Sequence, residues 1–316
     1  MISIKKLDNS ETYHDLSSGG KGKSLSFLIK NDISVPNGFV ILSNAFEKFI
    51  SDNNLSQDIA LIFKRVRKNR METIEHASEK IQNLILSKQI PEQLQNSIIK
   101  LYKELNLGLV AVRSSATIED SSDNAWAGQL ESYLNTNENM LISNIRKCWA
   151  SLYTPRAIFY RLQRSLNPIL GSVAVVIQEM IQAEVSGVSF SVHPINRNNN
   201  ELIIEAGYGL GEAIVSNKVT PDSYTVKKDT LEIVDICINT QNRKLVLSDD
   251  HISNVWEDVS DEIKNIKKLN DDQIIELSKL IIKIEKIYNC PQDIEWVLHC
   301  GKFYITQSRP ITTLNF

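Results

Sequence analysis

The residues best suited to chemistry lie near the end of this 316-residue chain, in QDIEWVLHCGKFYITQSRP, Gln292 to Pro310. The stretch reads as two short strands around a Cys-Gly turn, yet it carries Asp293, Glu295, Gln307 and Arg309. Side chains alternate along a strand, so Asp293 and Glu295 share one face, as do Gln307 and Arg309 on the partner strand. A three-residue loop, Cys300 to Lys302, sets Asp293 opposite Arg309 and Glu295 opposite Gln307. The four then form one polar patch. Carboxylates can hold Mg2+, the metal can bridge phosphate oxygens, and an arginine can neutralise charge that builds on them. The competing reading is a cross-strand salt bridge on an exposed sheet face.

Three further segments offer ligand-binding chemistry. SSGGKGKSLSFL, Ser17 to Leu28, sets glycines and Lys21 before a helix, where backbone N–H groups and an ammonium suit a phosphate. It lacks the Walker A spacing, and taken alone the segment reads more readily as a flexible turn with a surface lysine. LVAVRSSATIEDSSDNAWAGQLES, Leu109 to Ser132, ends an apolar strand at Arg113 and continues through Ser114, Ser115 and Thr117 toward Gly128. Arg113 can clamp anionic oxygens at two points, or can pair with Glu119 or Asp120 as structural glue. EAGYGLGEA, Glu205 to Ala213, misses the dinucleotide fingerprint by its spacing, so close backbone approach in a tight turn is the expectation there.

The elements that must position these residues are mixed. Residues 21–30 read as a helix, and residues 55–106 as several, one starting at Pro91. NENMLISNIRKCWASLYTPRAIFYRLQR is helical with a break near Pro155, and DDQIIELSKLIIKIEKIY is amphipathic, capped by Asn270 or Asp271. LGLVAVRSSA, GSVAVVIQEM, VSGVSFSVHP and ELIIEAGY read as strands, and DSYTVKKDTLEIVDICI as a hairpin. Without a βαβ beat, the class is α+β. Two lobes are expected, 1–176 and 177–316, with RSLNPILG as the candidate linker.

Bulk composition narrows the classes. Hydrophobic residues make up 42% and charged residues 23%, ordinary for a soluble globular protein. A net charge of -3 argues against a general nucleic-acid binder. No secretory h-region and no membrane-length apolar run is visible. Cys148, Cys237, Cys290 and Cys300 form no CxxC pair, and no histidine stands at zinc-ligand spacing from them. They read as reduced thiols in a cytoplasmic protein.

Taken together, GGKG with VPNGFVI, VAVRSSATIED with WAGQLESYLN, VIQEMIQAEVSGVSFSVHP, IIEAGYGLGEAIVSNKVTPDSY and QDIEWVL with YITQSRPIT resemble the ATP-binding domain of the phosphoenolpyruvate synthase and pyruvate phosphate dikinase family, to which rifampicin phosphotransferases are similar. The matches run in family order from about residue 18 to residue 312. The resemblance implies an ATP-grasp-like two-lobed fold, with ATP and Mg2+ as cofactors. Adenine would be held between the lobes near Gln178, Glu179 and Met180. Lys21 and Arg113 would contact the phosphates and take part in transfer. Thr117 and the loop to Gly128 would cover them. Glu295 and Gln307 would bind the metal or the metal-bound phosphates beside Asp293, and Arg309 would steady charge during transfer.

Family enzymes also carry a swivelling domain with a phosphorylatable histidine. His14, His76, His193, His251 and His299 lack the Gly-rich context of that residue, and the chain ends just past SRPIT. The partner is therefore expected in trans or in a longer parent chain, whether the chain is an excised domain or a separate subunit. The resemblance implies transfer of the β-phosphoryl of Mg-ATP to that histidine, with AMP and phosphate as products, for onward passage to pyruvate or another small acceptor. Neither nucleic acid nor membrane is an expected partner. The alternatives are an ATP-grasp ligase or direct small-molecule kinase releasing ADP, and a nucleotide-binding module without turnover.

Overall fold

Val173–Glu179 has six consecutive buried residues, the pattern of a strand covered on both faces, and the first sheet is built around it. A computed structural model describes residues 3–116, 131–164, 172–196, 198–249 and 253–312. The candidate linker RSLNPILG falls almost entirely outside them, as do Thr117 and Gly128. The contacts divide the chain into two units, Met1–Ser26 with Asn37–Met180, and Phe27–Pro36 with Ile181–Phe316.

The first unit contains β1 (Ile4–Lys6), α1 (Ser10–His14) and the opening turns of α2 (Gly19–Lys30). It continues through β2 (Gly38–Ile41), α3 (Ser43–Asp52), α4 (Leu55–Phe63), α5 (Met71–Ser87), α6 (Glu92–Glu104), β3 (Val110–Ala116) and β4 (Ser132–Thr136). It ends with α7 (Glu138–Ala150), α8 (Pro155–Gln163) and β5 (Val173–Glu179). The break at Pro155 falls where expected, with Thr154 capping α8 and Pro155 in its first turn. Pro91 is the N-cap residue of α6.

The sheet order is β1-β2-β5-β3-β4, antiparallel throughout. Alternation sends Phe39, Ile41, Val110, Val112, Val173, Val175 and Ile177 into an apolar core with Phe46, Phe49 and Trp149 of the helices. The opposite face carries Arg113, Ser115 and Gln178.

The second unit contains β6 (Val185–Phe190), β7 (Glu201–Tyr208), α9 (Glu212–Val215), β8 (Asp222–Lys227) and β9 (Ile233–Cys237). It is completed by β10 (Arg243–Leu247), β11 (Asn254–Asp258), α10 (Asp271–Tyr288), β12 (Gln292–His299) and β13 (Lys302–Pro310). Its main sheet runs β13-β12-β6-β7-β8-β9, and β10 pairs with β11 separately. One face packs Leu202, Ile204, Tyr224, Ile294, Trp296 and Ile305 against Ile274, Leu277, Ile281 and Ile284 of α10. Asn270 caps α10 in a reciprocal capping box with Gln273. Leu28, Ile33 and Val35 join this core, and the Ile305 N–H donates to the Ser34 carbonyl at 2.8 Å, which ties the 27–36 segment to the second sheet.

The sharpest packing constraint lies at Gly187, between β12 and β7. A Cβ there would lie 1.9 Å from the Glu205 carbonyl oxygen and 2.3 Å from the Trp296 ring. The Trp296 indole N–H, buried under that glycine, donates to Ser189 Oγ at 2.8 Å. Near the start of α9, the expected close approach is present: a Cβ on Gly209 would lie 2.4 Å from the Leu245 carbonyl oxygen. Among the described residues, no helix is long and apolar enough to cross a membrane.

Gly187→Ala should cost about 3 kcal/mol of stability through overpacking against backbone that cannot yield. Urea denaturation measures it; a midpoint equal to that of the unsubstituted chain would show that the sheet relaxes there.

Candidate functional site

The closing hairpin reaches the expected pairing by a different route. Cys300 and Gly301 form a two-residue turn with φ of 48° and 72°, so His299 pairs with Lys302. This is the left-handed geometry of a type I′ hairpin, not the expected three-residue loop. By itself it would set Glu295 opposite Thr306 and leave Arg309 on the opposite face from Asp293. A register shift between Glu295 and Trp296 inserts one extra residue on β13 and restores Glu295 opposite Gln307 and Asp293 opposite Arg309.

Asp293, Glu295, Gln307 and Arg309 therefore share the sheet face that α10 does not cover. Arg309 donates from Nε at 2.8 Å and from Nη2 at 2.6 Å to the same Asp293 oxygen. The cross-strand salt bridge is real, so Asp293 orients the guanidinium of Arg309, whose side chain stays 44% exposed. At the root of the hairpin, Gln292 accepts a hydrogen bond from Ser308 Oγ at 2.8 Å, and its backbone N–H donates to Ser191 Oγ at 2.8 Å.

The sheet adds a residue that sequence reasoning missed. Glu295 pairs with Val188, and Val188 pairs with Glu205, so Glu205 lies on the same face two strands away. Strand spacing makes that separation about 10 Å. The signal was present in ELIIEAGY, where a carboxylate interrupts an otherwise apolar strand, as in the hairpin. Burial, reinforced by the charge of Asp293, raises the Glu205 carboxyl above its ordinary range. Burial also raises Asp293, outweighing the lowering by Arg309, and Glu295 adds to the rise. This face supplies carboxylate and amide oxygens, the donor set of a hard divalent cation. Glu295 and Gln307 would hold it.

The first unit positions the other candidates. Arg113 Nη1 donates to Gln178 Oε1 at 3.1 Å, joining adjacent antiparallel strands on the polar face of their sheet. Gln178 is 2% exposed, and its Nε2 has no hydrogen-bond partner among the described residues. A buried amide donor left in this state is costly unless something accepts from it. Glu179 and Met180 follow at the strand end; their backbone N–H groups donate to Asn37 at 2.7 Å and Leu109 at 2.8 Å, so both amides are committed to the fold.

Lys21 begins α2 close to the same strand. Its backbone N–H donates to Ser115 Oγ at 3.1 Å, two residues beyond Arg113. Gly19 makes the approach possible: with φ of 66°, it sits where a Cβ would fall 2.4 Å from the Ser115 carbonyl oxygen. Arg113, Ser115 and Gln178 thus share one face of the first sheet, and the Lys21 backbone meets it at Ser115. Asp293, Glu295, Gln307 and Arg309 gather on one face of the second.

Comparison with known proteins bears on what these two groups serve. The family model for the pyruvate phosphate dikinase AMP/ATP-binding domain matches residues 16–316. A "Probable phosphoenolpyruvate synthase" of Methanocaldococcus jannaschii is 42% identical over 305 residues, covering 94% of this chain and 26% of the relative. The "Phosphoenolpyruvate synthase" of Pyrococcus furiosus is 35% identical over 343 residues, covering 94% of this chain and 42% of the relative. A "Rifampicin phosphotransferase" of Bacillus cereus is 37% identical over 300 residues, covering 94% of this chain and 34% of the relative. The chain thus spans less than half the length of these curated relatives. The expected α+β, ATP-grasp-like fold class is the one it has.

The raised carboxyls give stability a defined pH dependence. A native pKa above the unfolded value means that the native state binds more protons in that window, so stability falls as pH rises through it. The window opens at ordinary carboxylate values, roughly pH 4, and extends above them. Glu205→Gln should flatten this fall, which urea midpoints taken across the window will measure. An unchanged slope would remove Glu205 as a source of the dependence.

Proposed function

The chain belongs to the pyruvate phosphate dikinase AMP/ATP-binding domain family, and from that premise we propose that it binds Mg-ATP and passes the β-phosphoryl group to a histidine on a separate swivelling domain. The observation that carries the reading is the bulged register of the closing hairpin, which gives one face two carboxylates, an amide and an oriented arginine. A pure salt bridge would need Asp293 and Arg309 alone; Glu295 and Gln307 are surplus to it.

The roles follow from charge. ATP brings several negative charges, and transfer spreads further charge over phosphoryl oxygens, so the protein's work is positioning and electrostatic stabilisation. Lys21 and Arg113 bind phosphate oxygens, and Gln178 holds the Arg113 guanidinium in place. Gln178, Glu179 and Met180 are assigned to adenine, a reading that the unpartnered Gln178 amide nitrogen supports. Thr117 and Gly128 are assigned to covering the phosphates. Glu295 and Gln307 would hold Mg2+, which would supply positive charge against the phosphate oxygens. Arg309, oriented by Asp293, steadies the charge on the transferred group.

The overall exchange balances with one water: ATP, the histidine and water yield phosphohistidine, AMP and inorganic phosphate. The phosphohistidine then serves a small-molecule acceptor through the swivelling domain, carried in trans or by a longer chain, as the short coverage of the relatives accords with. Free thiols at all four cysteines accord with a cytoplasmic setting.

Phosphate tracing tests this. The chain is incubated with Mg2+ and ATP labelled at the β-phosphate, with and without an extract of its source cells. An acid-labile label on a second protein, with AMP appearing, is the expected result. Arg309→Ala and Glu295→Ala should each lower the transfer rate about 100-fold or more while circular dichroism stays unchanged. ADP without labelled protein would replace the reading with a ligase or direct kinase, and saturable binding without turnover would replace it with a binding module.

A further inference from the structure

The turn at the other end of the closing hairpin gathers three side chains that the nucleotide chemistry does not use. Cys300 Sγ lies 3.4 Å from His299 Nε2, and His299 Nδ1 lies 3.7 Å from Glu184 Oε1. One ligating atom from each of the three residues lies within 4.8 Å of the others. We propose that Glu184, His299 and Cys300 form a binding site for a borderline transition-metal ion of the Zn2+ type.

Cys300 Sγ and His299 Nε2 already stand at the spacing of one edge of a tetrahedral site, and Glu184 would turn toward them from the Nδ1 side. With metal–nitrogen and metal–sulfur bonds of about 2.0 and 2.3 Å, a tetrahedral centre sets its nitrogen and sulfur about 3.5 Å apart. His299 Nδ1 is buried and has no hydrogen-bond partner among the described residues. The side chains of His299 and Glu184 are otherwise 40% and 57% exposed, so an ion can enter and a water can complete its coordination.

The three residues are also held in place before any ion arrives. Glu184 is fixed at both backbone groups: its N–H donates to Leu298, and its carbonyl accepts from Gly209, each at 3.0 Å. Its carboxylate accepts the Cys300 backbone N–H at 2.9 Å, which draws it over the turn. The left-handed backbone at Cys300 holds the thiol beside the imidazole.

Charge and softness select the ion. A carboxylate, a thiolate and a neutral imidazole together balance a dication. Binding forms the metal–sulfur bond and releases the thiol proton to solvent. Thiolate and imidazole favour Zn2+ over Mg2+, so this end of the hairpin and the oxygen-rich end around Glu295 would not compete for one metal. A bound ion would clip the β12–β13 turn to the segment that enters β6, within the same unit.

Cobalt titration of the full 316-residue chain tests the proposal, because Co2+ reports thiolate ligation by a charge-transfer absorption. One equivalent should bind with that band and be displaced by Zn2+. Cys300→Ser should lose the band, whereas Cys237→Ser should keep it. His299→Ala and Glu184→Gln should each weaken binding at least tenfold, since even outer-shell changes cost about 10–100-fold. No band in the unsubstituted chain, a band that survives Cys300→Ser, or equal affinity in His299→Ala would overturn it. Circular dichroism of each variant separates loss of ligation from loss of fold.

Discussion

A single extra residue on β13 governs the polar face of the second sheet. In paired strands, a slip of one position sends every side chain beyond it to the opposite face. The two-residue turn at Cys300 and Gly301 starts the hairpin in a register that suits Trp296, Leu298, Phe303 and Ile305, all buried against α10. That register, continued, would separate Arg309 from Asp293. The shift beside Glu295 lets the apolar half obey the core and the polar half obey the ligand face. Core packing and site geometry are thereby decoupled within eight or nine residues per strand.

The polar faces of both sheets hold groups that are costly to bury. Asp293 and Glu205 are kept above their ordinary range by burial, with repulsion from Glu295 acting on Asp293 and from Asp293 on Glu205, and Arg309 relieves only Asp293 and only in part. In the first unit, Gln178 satisfies its oxygen through Arg113 but leaves its nitrogen buried without a partner. An apolar core of the same shape would avoid these costs. Their presence on the faces that carry Arg113, Glu295 and Arg309 supports the proposed reading of these faces as a binding surface for a charged ligand.

Rigidity beneath these groups comes from close backbone contact. Gly19 lets the start of α2 meet Ser115, and Gly187 lets the Trp296 indole pack closely against β6. Asn270 and Gln273 close the start of α10, the helix that supports the second sheet. Apart from Lys21 on α2, the side chains proposed to meet ligand thus stand on strands whose other face is packed into a core. Precision of placement depends on such support.

Local pattern alone determined a good deal of this. Alternation identified the polar patch of the hairpin, apolar spacing identified α10 and its cap, and five ordered motifs identified the family. These features depend on residues near one another in sequence, where backbone geometry leaves few choices. Four things needed the tertiary structure. Glu205 joined Asp293 and Glu295 only through the strand order β12-β6-β7, which no local signal encodes. The hairpin reached its pairing through a turn and a bulge, because burial of Trp296 and Ile305 set one register while Asp293 and Arg309 set another. Residues 27–36 joined the second core across a gap of some 150 positions, and Glu184 came to His299 and Cys300. All but the hairpin are contacts between distant segments, and all are decided by which apolar faces must be buried together and not by flanking residues alone.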